Sequence, residues 1–206
     1  MGKEVDLKKG ELSRHVNKAL KAISDGYIIA IPLEHTYAFA CDAFKHDSVR
    51  AMNVLHGSPL FTSAQVLVGS SKTAQGVVRE ITPDISALMK KFWPGLLSLN
   101  LKPQLGLSWD LGDANQLDRI SIRVPKSKFA KALLAKSGPL AVTSGSRIGM
   151  PAPKELSDIF VLHSDLAFQF NSGKLRQGAS TTVVEADTEG VRVLREGAIS
   201  LAEIQA

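Results

Sequence analysis

The chain has 206 residues, of which 44% are hydrophobic and 22% charged, with a net charge of +5. This length is enough for one hydrophobic core and short for two, so a single domain over residues 1–206 is expected. No apolar run approaches the roughly 20 residues that span a bilayer, and the charged N-terminus lacks the apolar stretch of a signal peptide. The single cysteine, Cys41, excludes an internal disulfide. We expect a cytoplasmic protein with no membrane contact.

Apolar residues at helical spacing alternate along the chain with short apolar runs typical of buried strands. Helices are predicted over residues 11–25, 47–55, 71–80, 83–92, 127–136 and 200–205. Strands are predicted over residues 27–31, 37–41, 64–68, 96–101, 120–124, 139–143, 182–185 and 191–194. No period of 20–50 residues indicates a solenoid. The fold class is therefore α/β or mixed α+β.

The turn between the first two strands carries Glu34, His35, Thr36 and Tyr37. A turn at a sheet rim is a common place for binding groups held by a rigid scaffold. An ordinary interstrand turn explains the same residues, and both interpretations stay open from this stretch alone.

Two arginines, Arg123 and Arg195, lie within or beside apolar strands. Such an arginine needs a partner, which is either a phosphate or carboxylate of a ligand or a structural ion pair. The net positive charge fits anionic ligands such as nucleotides or RNA. No run of five basic residues indicates a dedicated nucleic-acid arm.

The segment from Gly173 to Ser180 comes close to a phosphate-loop pattern, but Ala179 stands where the lysine belongs. The following residues predict a strand, whereas a phosphate loop opens a helix. A Walker site is therefore excluded, although Ser180 and Thr181 can still offer hydroxyl groups to an anion. No metal site is predicted, because the histidines lack metal-ligand spacing; they are His15, His35, His46, His56 and His163.

Six segments in order resemble the threonylcarbamoyl-AMP synthase family, also called the YrdC/Sua5/YciO-like family. They correspond to its P-T-(D/E)-T-x-Y-G-L, F-W-P-G-x-x-T, x-R-V-P, G-P-L-A-x-x-S-A-N-x-S-G-x-P-x-P, S-T-V-V and L-R-x-G-x-I segments. In this chain the segments are residues 32–39, 92–98, 122–125, 138–153, 180–184 and 194–199. The agreement runs from about Gly26 to Ile199.

The resemblance implies a twisted mixed sheet around a basic cavity in one domain. There L-threonine, bicarbonate and ATP, the last with Mg²⁺, give threonylcarbamoyl-AMP and pyrophosphate, the first step of t6A modification of tRNA. RNA, tRNA or other proteins of that pathway are the implied partners. By resemblance, Thr36, Tyr37 and Arg123 hold threonine and the carbamate. The residues implied to contact the nucleotide are Ser98, Ser144, Ser146, Ser180, Thr181 and Arg195.

The chain departs from the family on the catalytic surface. The K-x-R that meets the phosphates is His56-Gly57-Ser58, Ser146 replaces an asparagine, and Leu67 replaces a frequent histidine. Each charge-assisted phosphate bond contributes roughly 1.5–3 kcal/mol, and more in a transition state that gains charge, so losing both costs about three to five orders of magnitude in rate. Two hypotheses follow: a synthase slowed by the missing cations, or a catalytically degenerate paralogue that binds nucleotide or RNA without turnover. The candidates for substitute cations are Arg50, Lys72 and Arg147.

Overall fold

The computed structural model describes residues 2–114, 116–159 and 166–206, and within them ten strands form one mixed sheet. In chain order the strands are β1 (Lys3–Asp6), β2 (Ile29–Pro32), β3 (Tyr37–Asp42), β4 (Gln65–Leu67), β5 (Leu97–Leu101), β6 (Ile120–Arg123), β7 (Leu140–Ser144), β8 (Phe168–Asn171), β9 (Thr182–Asp187) and β10 (Gly190–Arg195). Across the sheet the order is β1-β8-β2-β3-β7-β4-β6-β5-β9-β10. The pairs β1–β8, β8–β2, β4–β6 and β5–β9 are parallel, and the others are antiparallel.

Six α-helices within the same residues connect the strands. They are α1 (Leu12–Ser24), α2 (His46–His56), α3 (Ser71–Gln75), α4 (Pro83–Phe92), α5 (Lys128–Ser137) and α6 (Leu201–Gln205). Local sequence explains their ends. Thr82 caps α4 by accepting the Ile85 N–H, with Pro83 at the first helical position. Gly57 ends α2 in the left-handed conformation that glycine adopts without strain.

The alternation of strand residues places one apolar cluster on each face of the sheet. Ile29 and Ile31 face the cluster under α1 and α5, whereas Ala30 between them faces the cluster under α2 and α4. Cys41 belongs to the second cluster, where burial raises the pKa of its thiol to about 12. The thiol packs as a small hydrophobe, as predicted.

The α/β class predicted from the sequence is confirmed, and each predicted helix and strand has a counterpart. Two predictions were less accurate. The helix from Ser71 ends at Gln75 rather than at 80, and Tyr27, expected in a buried strand, precedes β2 and is 58% exposed. Strands β1 and β8 were missed. His163 lies outside the described residues.

None of the helices in the described ranges is long and apolar enough to cross a membrane. The cytoplasmic location stays a prediction.

Candidate active site

The neighbouring strands β4, β5 and β6 carry polar side chains on one face of the sheet, beyond the part that α5 covers. In β5, Leu97 and Leu99 face the apolar core, and Ser98 between them faces the opposite side. The Nε2 atom of Gln65 on β4 donates to Ser98 Oγ at 2.8 Å and to Ser121 Oγ on β6 at 3.4 Å. Strand periodicity thus builds a polar floor on this face.

A cavity of about 510 Å³ lies over this floor. Its walls are the β2–β3 turn, the ends of β6 and β7, and the segment that precedes β9. The lining residues are Leu33, Glu34, His35, Thr36, Ala38, Gln65, Leu96, Arg123, Val142, Thr143, Ser144, Ala152, Gly178, Ala179, Ser180, Thr181 and Arg195. Two guanidinium groups and several hydroxyl groups therefore face one space, a lining suited to an anionic ligand.

Arg123 is the most strongly fixed cation of the cavity. It is 3% exposed, and its Nη1 atom donates to Glu34 Oε1 at 2.9 Å and to the Gly95 carbonyl at 3.0 Å. Glu34 Oε1 also accepts the Lys126 N–H at 2.5 Å. The structural ion pair considered from the sequence is therefore present. The Trp-Pro-Gly turn before β5 acts as a support for Arg123, since it supplies the Gly95 carbonyl.

Arg195 reaches the cavity from a different setting. Its Nη2 atom donates to the Thr181 carbonyl at 2.9 Å and to Thr181 Oγ1 at 3.0 Å. Strand β10 is an exposed edge strand, with Val191 38% and Leu194 45% exposed. Arg195 thus fixes the loop beside the cavity while remaining open to solvent.

Residues 173–181 close the cavity from above without forming a helix, and a strand follows them, as predicted. The segment is fastened at several points: Leu175 N donates to the Lys154 carbonyl at 2.9 Å, and the His35 ring hydrogen-bonds the Arg176 carbonyl at 3.2 Å. Gly178 lies directly against the His35 ring, where an added Cβ would be 2.3 Å from the ring atoms. A methyl group at this position would require the His35 ring to move aside.

The loop after β7 extends the cavity toward α2. Ser144 Oγ and Ser146 Oγ share a hydrogen bond of 2.9 Å. Two residues on, the Ile148 N–H donates to the His56 carbonyl at the end of α2. His56 Nδ1 and Ser58 Oγ are 2.8 Å apart and satisfy each other, and burial lowers the pKa of His56. This corner therefore holds a neutral pair at pH 7.

Comparisons with known proteins agree with this architecture. The Sua5/YciO/YrdC family model, described as "Telomere recombination", matches residues 21–197. The chain belongs to this family. A Mycobacterium tuberculosis protein provisionally named a threonylcarbamoyl-AMP synthase is 33% identical over 193 residues, 93% of this chain and 88% of that protein.

Solved structures show the same fold. Pyrococcus abyssi Sua5, in a structure described as complexed with L-threonine, superposes with a TM-score of 0.87 at 24% identity, over 100% of this chain and 60% of that chain. Escherichia coli YciO superposes with a TM-score of 0.83 at 20% identity, over 99% of this chain and 98% of that chain. The chain thus spans about three fifths of the Sua5 chain.

The Sua5/YciO/YrdC fold brings together six of the residues implied by resemblance; Thr36, Arg123, Ser144, Ser180, Thr181 and Arg195 line the cavity. Ser98 is fully buried behind Gln65. Ser146 lines an adjoining pocket, and His56 and Ser58 lie next to the same loop. Their binding roles stay predictions.

Tyr37 has a different position from the cavity-lining residues. Its ring is buried, and its hydroxyl donates to the Gly173 carbonyl at 2.7 Å and accepts the Ser172 N–H at 3.0 Å. This side chain therefore fastens the start of the 173–181 segment, and its predicted contact with threonine is not tested by these bonds.

Two site residues were missed from the sequence. Glu34 was noted only as part of a turn, yet it fixes Arg123. Its place in the P-T-(D/E)-T segment was the sequence signal that could have indicated a role in the site. Gln65 carries no motif signal. Its role depends on which face of β4 it occupies, and a three-residue strand gives too little pattern to decide that.

Proposed function

We propose that the protein is a threonylcarbamoyl-AMP synthase that converts L-threonine, bicarbonate and ATP into threonylcarbamoyl-AMP, pyrophosphate and water. The observation that carries the proposal is the 510 Å³ cavity, in which Arg123 and Arg195 stand over a polar floor on the family's fold. Its volume is in the range of small-molecule sites.

The proposed chemistry has two steps. The amine of threonine adds to the carbon of bicarbonate, and loss of water leaves a carbamate. A carbamate oxygen then attacks the α-phosphorus of ATP, and the bond to the bridging oxygen breaks, which releases pyrophosphate. The protein supplies orientation and positive charge, because negative charge builds on the phosphate oxygens in the transition state.

The cavity offers groups for each part of this reaction. In the proposal, Arg123 faces the threonine carboxylate or the carbamate, and its contacts with Glu34 and Gly95 preset its orientation. Thr36 and Tyr37 keep their implied roles on the threonine side, Tyr37 by fastening the covering segment. The groups assigned to the nucleotide are Arg195, Ser144, Ser180 and Thr181 in the cavity and Ser146 in the adjoining pocket, while Ser98 acts through Gln65, which covers it.

Mg²⁺ enters the proposal with ATP. No group of three or more His, Cys, Asp or Glu side chains in the described ranges could hold a metal ion. Glu34, the carboxylate that lines the cavity, is already bonded to Arg123 and Lys126. This donor set fits a magnesium ion carried mainly by the phosphates, as is usual for nucleotide-bound Mg²⁺, where it neutralises phosphate charge.

A second candidate function is nucleotide or RNA binding without turnover. The His56–Ser58 pair favours it, because these two groups are neutral, whereas the family resemblance implies a lysine and an arginine at the phosphates there. Under the first proposal the product serves t6A modification of tRNA, with tRNA or pathway proteins as partners in the cytoplasm.

The test is isothermal titration of ATP with Mg²⁺, with and without L-threonine and bicarbonate, while pyrophosphate is followed in the same samples. Micromolar binding with pyrophosphate release that requires both co-substrates supports the synthase. Binding without release supports the second candidate. The absence of ATP binding would contradict the synthase and the nucleotide-binding form of the second candidate, and would leave RNA binding as its one remaining form.

A further inference from the structure

The corner of the site formed by His56, Ser58 and the loop after β7 lacks the charge that a polyphosphate needs. His56 and Ser58 are hydrogen-bonded to each other, and Gly57 between them adopts the left-handed conformation with a φ of 74°. Three arginine or lysine residues could compensate for the missing cations: Arg50, Lys72 and Arg147. Their positions in the structure distinguish among these three candidates.

Arg50 is already committed. Its Nη2 atom lies 3.0 Å from Asp110 Oδ2, and the Asp110 side chain is only 2% exposed. Moving Arg50 toward the cavity would leave a buried carboxylate without its partner, which is strongly unfavourable. Lys72 lies on α3, beyond the end of β4 that is far from the cavity-lining Gln65. Neither residue is placed to meet a ligand at His56.

Arg147 lies on the loop that runs from the cavity to His56. It stands between Ser146, whose hydroxyl bonds the cavity-lining Ser144 at 2.9 Å, and Ile148, whose N–H donates to the His56 carbonyl at 2.9 Å. The first bond fixes the Ser146 side chain, and the second fixes the backbone on the other side of Arg147. The segment that carries Arg147 is therefore tied both to the cavity and to the point where the family's cations are lost.

The Arg147 side chain is exposed and lines a pocket of about 320 Å³ next to the cavity. Ala152 lines both spaces, which places the pocket directly beside the cavity. The pocket contains a second cation, Lys154, and one carboxylate, Asp158, which accepts the Lys154 N–H at 3.0 Å. No ion-pair partner of Arg147 occurs in the part of the chain that the structure describes.

We propose that Arg147 binds the β- and γ-phosphates of ATP in this pocket, with Lys154 beside it, and so replaces the cation pair lost at residues 56 and 58. The proposal rests on the synthase function proposed above. A guanidinium suits this task because its planar donors match two phosphate oxygens at once. The nucleoside and α-phosphate would lie in the main cavity and the distal phosphates in the pocket.

The test compares Kd values for ATP and AMP, both with Mg²⁺, for the wild type and three variants. Arg147→Gln removes the charge, Arg147→Lys keeps it without the planar fork, and Arg14→Gln removes an exposed arginine from α1 as a matched control. Arg147→Gln should weaken ATP binding about tenfold to a hundredfold, the loss of one charge-assisted phosphate interaction. AMP binding should change less than about twofold, because AMP lacks the distal phosphates.

Arg147→Lys should keep part of the ATP affinity, and Arg14→Gln should bind both nucleotides like the wild type. Equal ATP affinity in Arg147→Gln and the wild type would overturn this inference and leave the synthase proposal intact. An equal loss for ATP and AMP would also overturn it, because Arg147 would then not act at the distal phosphates. A wild type that binds no ATP would instead overturn the synthase proposal, and this inference with it. Arg147 is exposed, so all variants should melt like the wild type.

Discussion

The two ends of the site differ in how they present positive charge. At one end, Arg123 is buried and bonded to Glu34 and Gly95. At the other end, His56 and Ser58 form a neutral, half-buried pair, and the nearest arginine on the adjoining loop, Arg147, is exposed.

The comparison distinguishes two kinds of charged residue: those that stabilise the fold and those that matter only for binding a ligand. Removing one partner of a buried ion pair destabilises the protein strongly, whereas an exposed cation contributes little to stability. Arg123 is therefore retained by folding itself, whatever the activity. A cation at residue 56 or 58, where the His56 and Ser58 side chains now bond to each other, would matter to a ligand rather than to folding.

The largest expected effect is on stability at the Arg123 end. Arg123→Met leaves the Glu34 carboxylate buried without its partner and should lower the free energy of unfolding by about 3–5 kcal/mol, measured by urea denaturation. As a control, Lys21→Met removes an exposed pair with Asp25 whose side chains are 80% and 43% exposed; this change should cost less than about 0.5 kcal/mol. A loss below about 1 kcal/mol for Arg123→Met would refute the stated role of the ion pair.

The next effect is a gain of ATP affinity at the neutral end. His56→Lys combined with Ser58→Arg restores the family's cations and should strengthen ATP binding about tenfold in the wild type. In the Arg147→Gln background the gain should rise to about a hundredfold, because the restored cations then have no competitor for the phosphates. Calorimetric titration measures both values. If neither background gains affinity, the phosphate site has been placed wrongly.

A smaller effect concerns the segment that covers the cavity. Gly178→Ala places a methyl group against the His35 ring, which must then turn aside and lose its bond to the Arg176 carbonyl, and should cost about 0.5–1.5 kcal/mol in unfolding free energy. His35→Ala should recover part of this loss in the double variant. Gly76→Ala is the matched control, since its Cβ meets only the Thr73 carbonyl at 3.5 Å. A Gly178→Ala protein as stable as the wild type would show that the segment is not held by this contact.

The smallest effect is a titration. Burial lowers the pKa of His56 below its ordinary value of 6.5, so an NMR titration should show its ring neutral at pH 7. The folded state then resists protonation more than the unfolded chain does. Stability from this residue is therefore fully present above pH 6.5 and is lost as the pH falls below it. His56→Gln should reduce that dependence, and a midpoint above 6.5 would contradict the assignment.

Local signals in the sequence predicted most of the fold. The Thr82-Pro83 start of α4 and the Gly57 end of α2 depend on neighbouring residues, so pattern and propensity suffice there. Strand β1 was missed because Val5 is its one buried residue, and charged residues surround it. Strand β8 pairs with β1 and β2, which precede it by more than a hundred residues, and no local pattern reports such pairing.

Site residues that belong to a sequence motif could be predicted. Those whose role depends on a contact with a residue distant in sequence could not. The arginine of the x-R-V-P segment was found, but its partner Glu34 lies 89 residues away. The departure at His56 and Ser58 was visible in the sequence. That the loop carrying Arg147 is bonded to His56 depended on the Ile148–His56 backbone bond, which only the folded chain reveals.

The most direct test of the account is incorporation of isotope-labelled bicarbonate into an adenylate. The protein is incubated with labelled bicarbonate, L-threonine, ATP and Mg²⁺, and the nucleotides are separated and counted alongside pyrophosphate. The account predicts one label in threonylcarbamoyl-AMP for each pyrophosphate released, and none when threonine is omitted. Pyrophosphate without a labelled adenylate, or neither product from a protein that binds ATP, would contradict the synthase assignment.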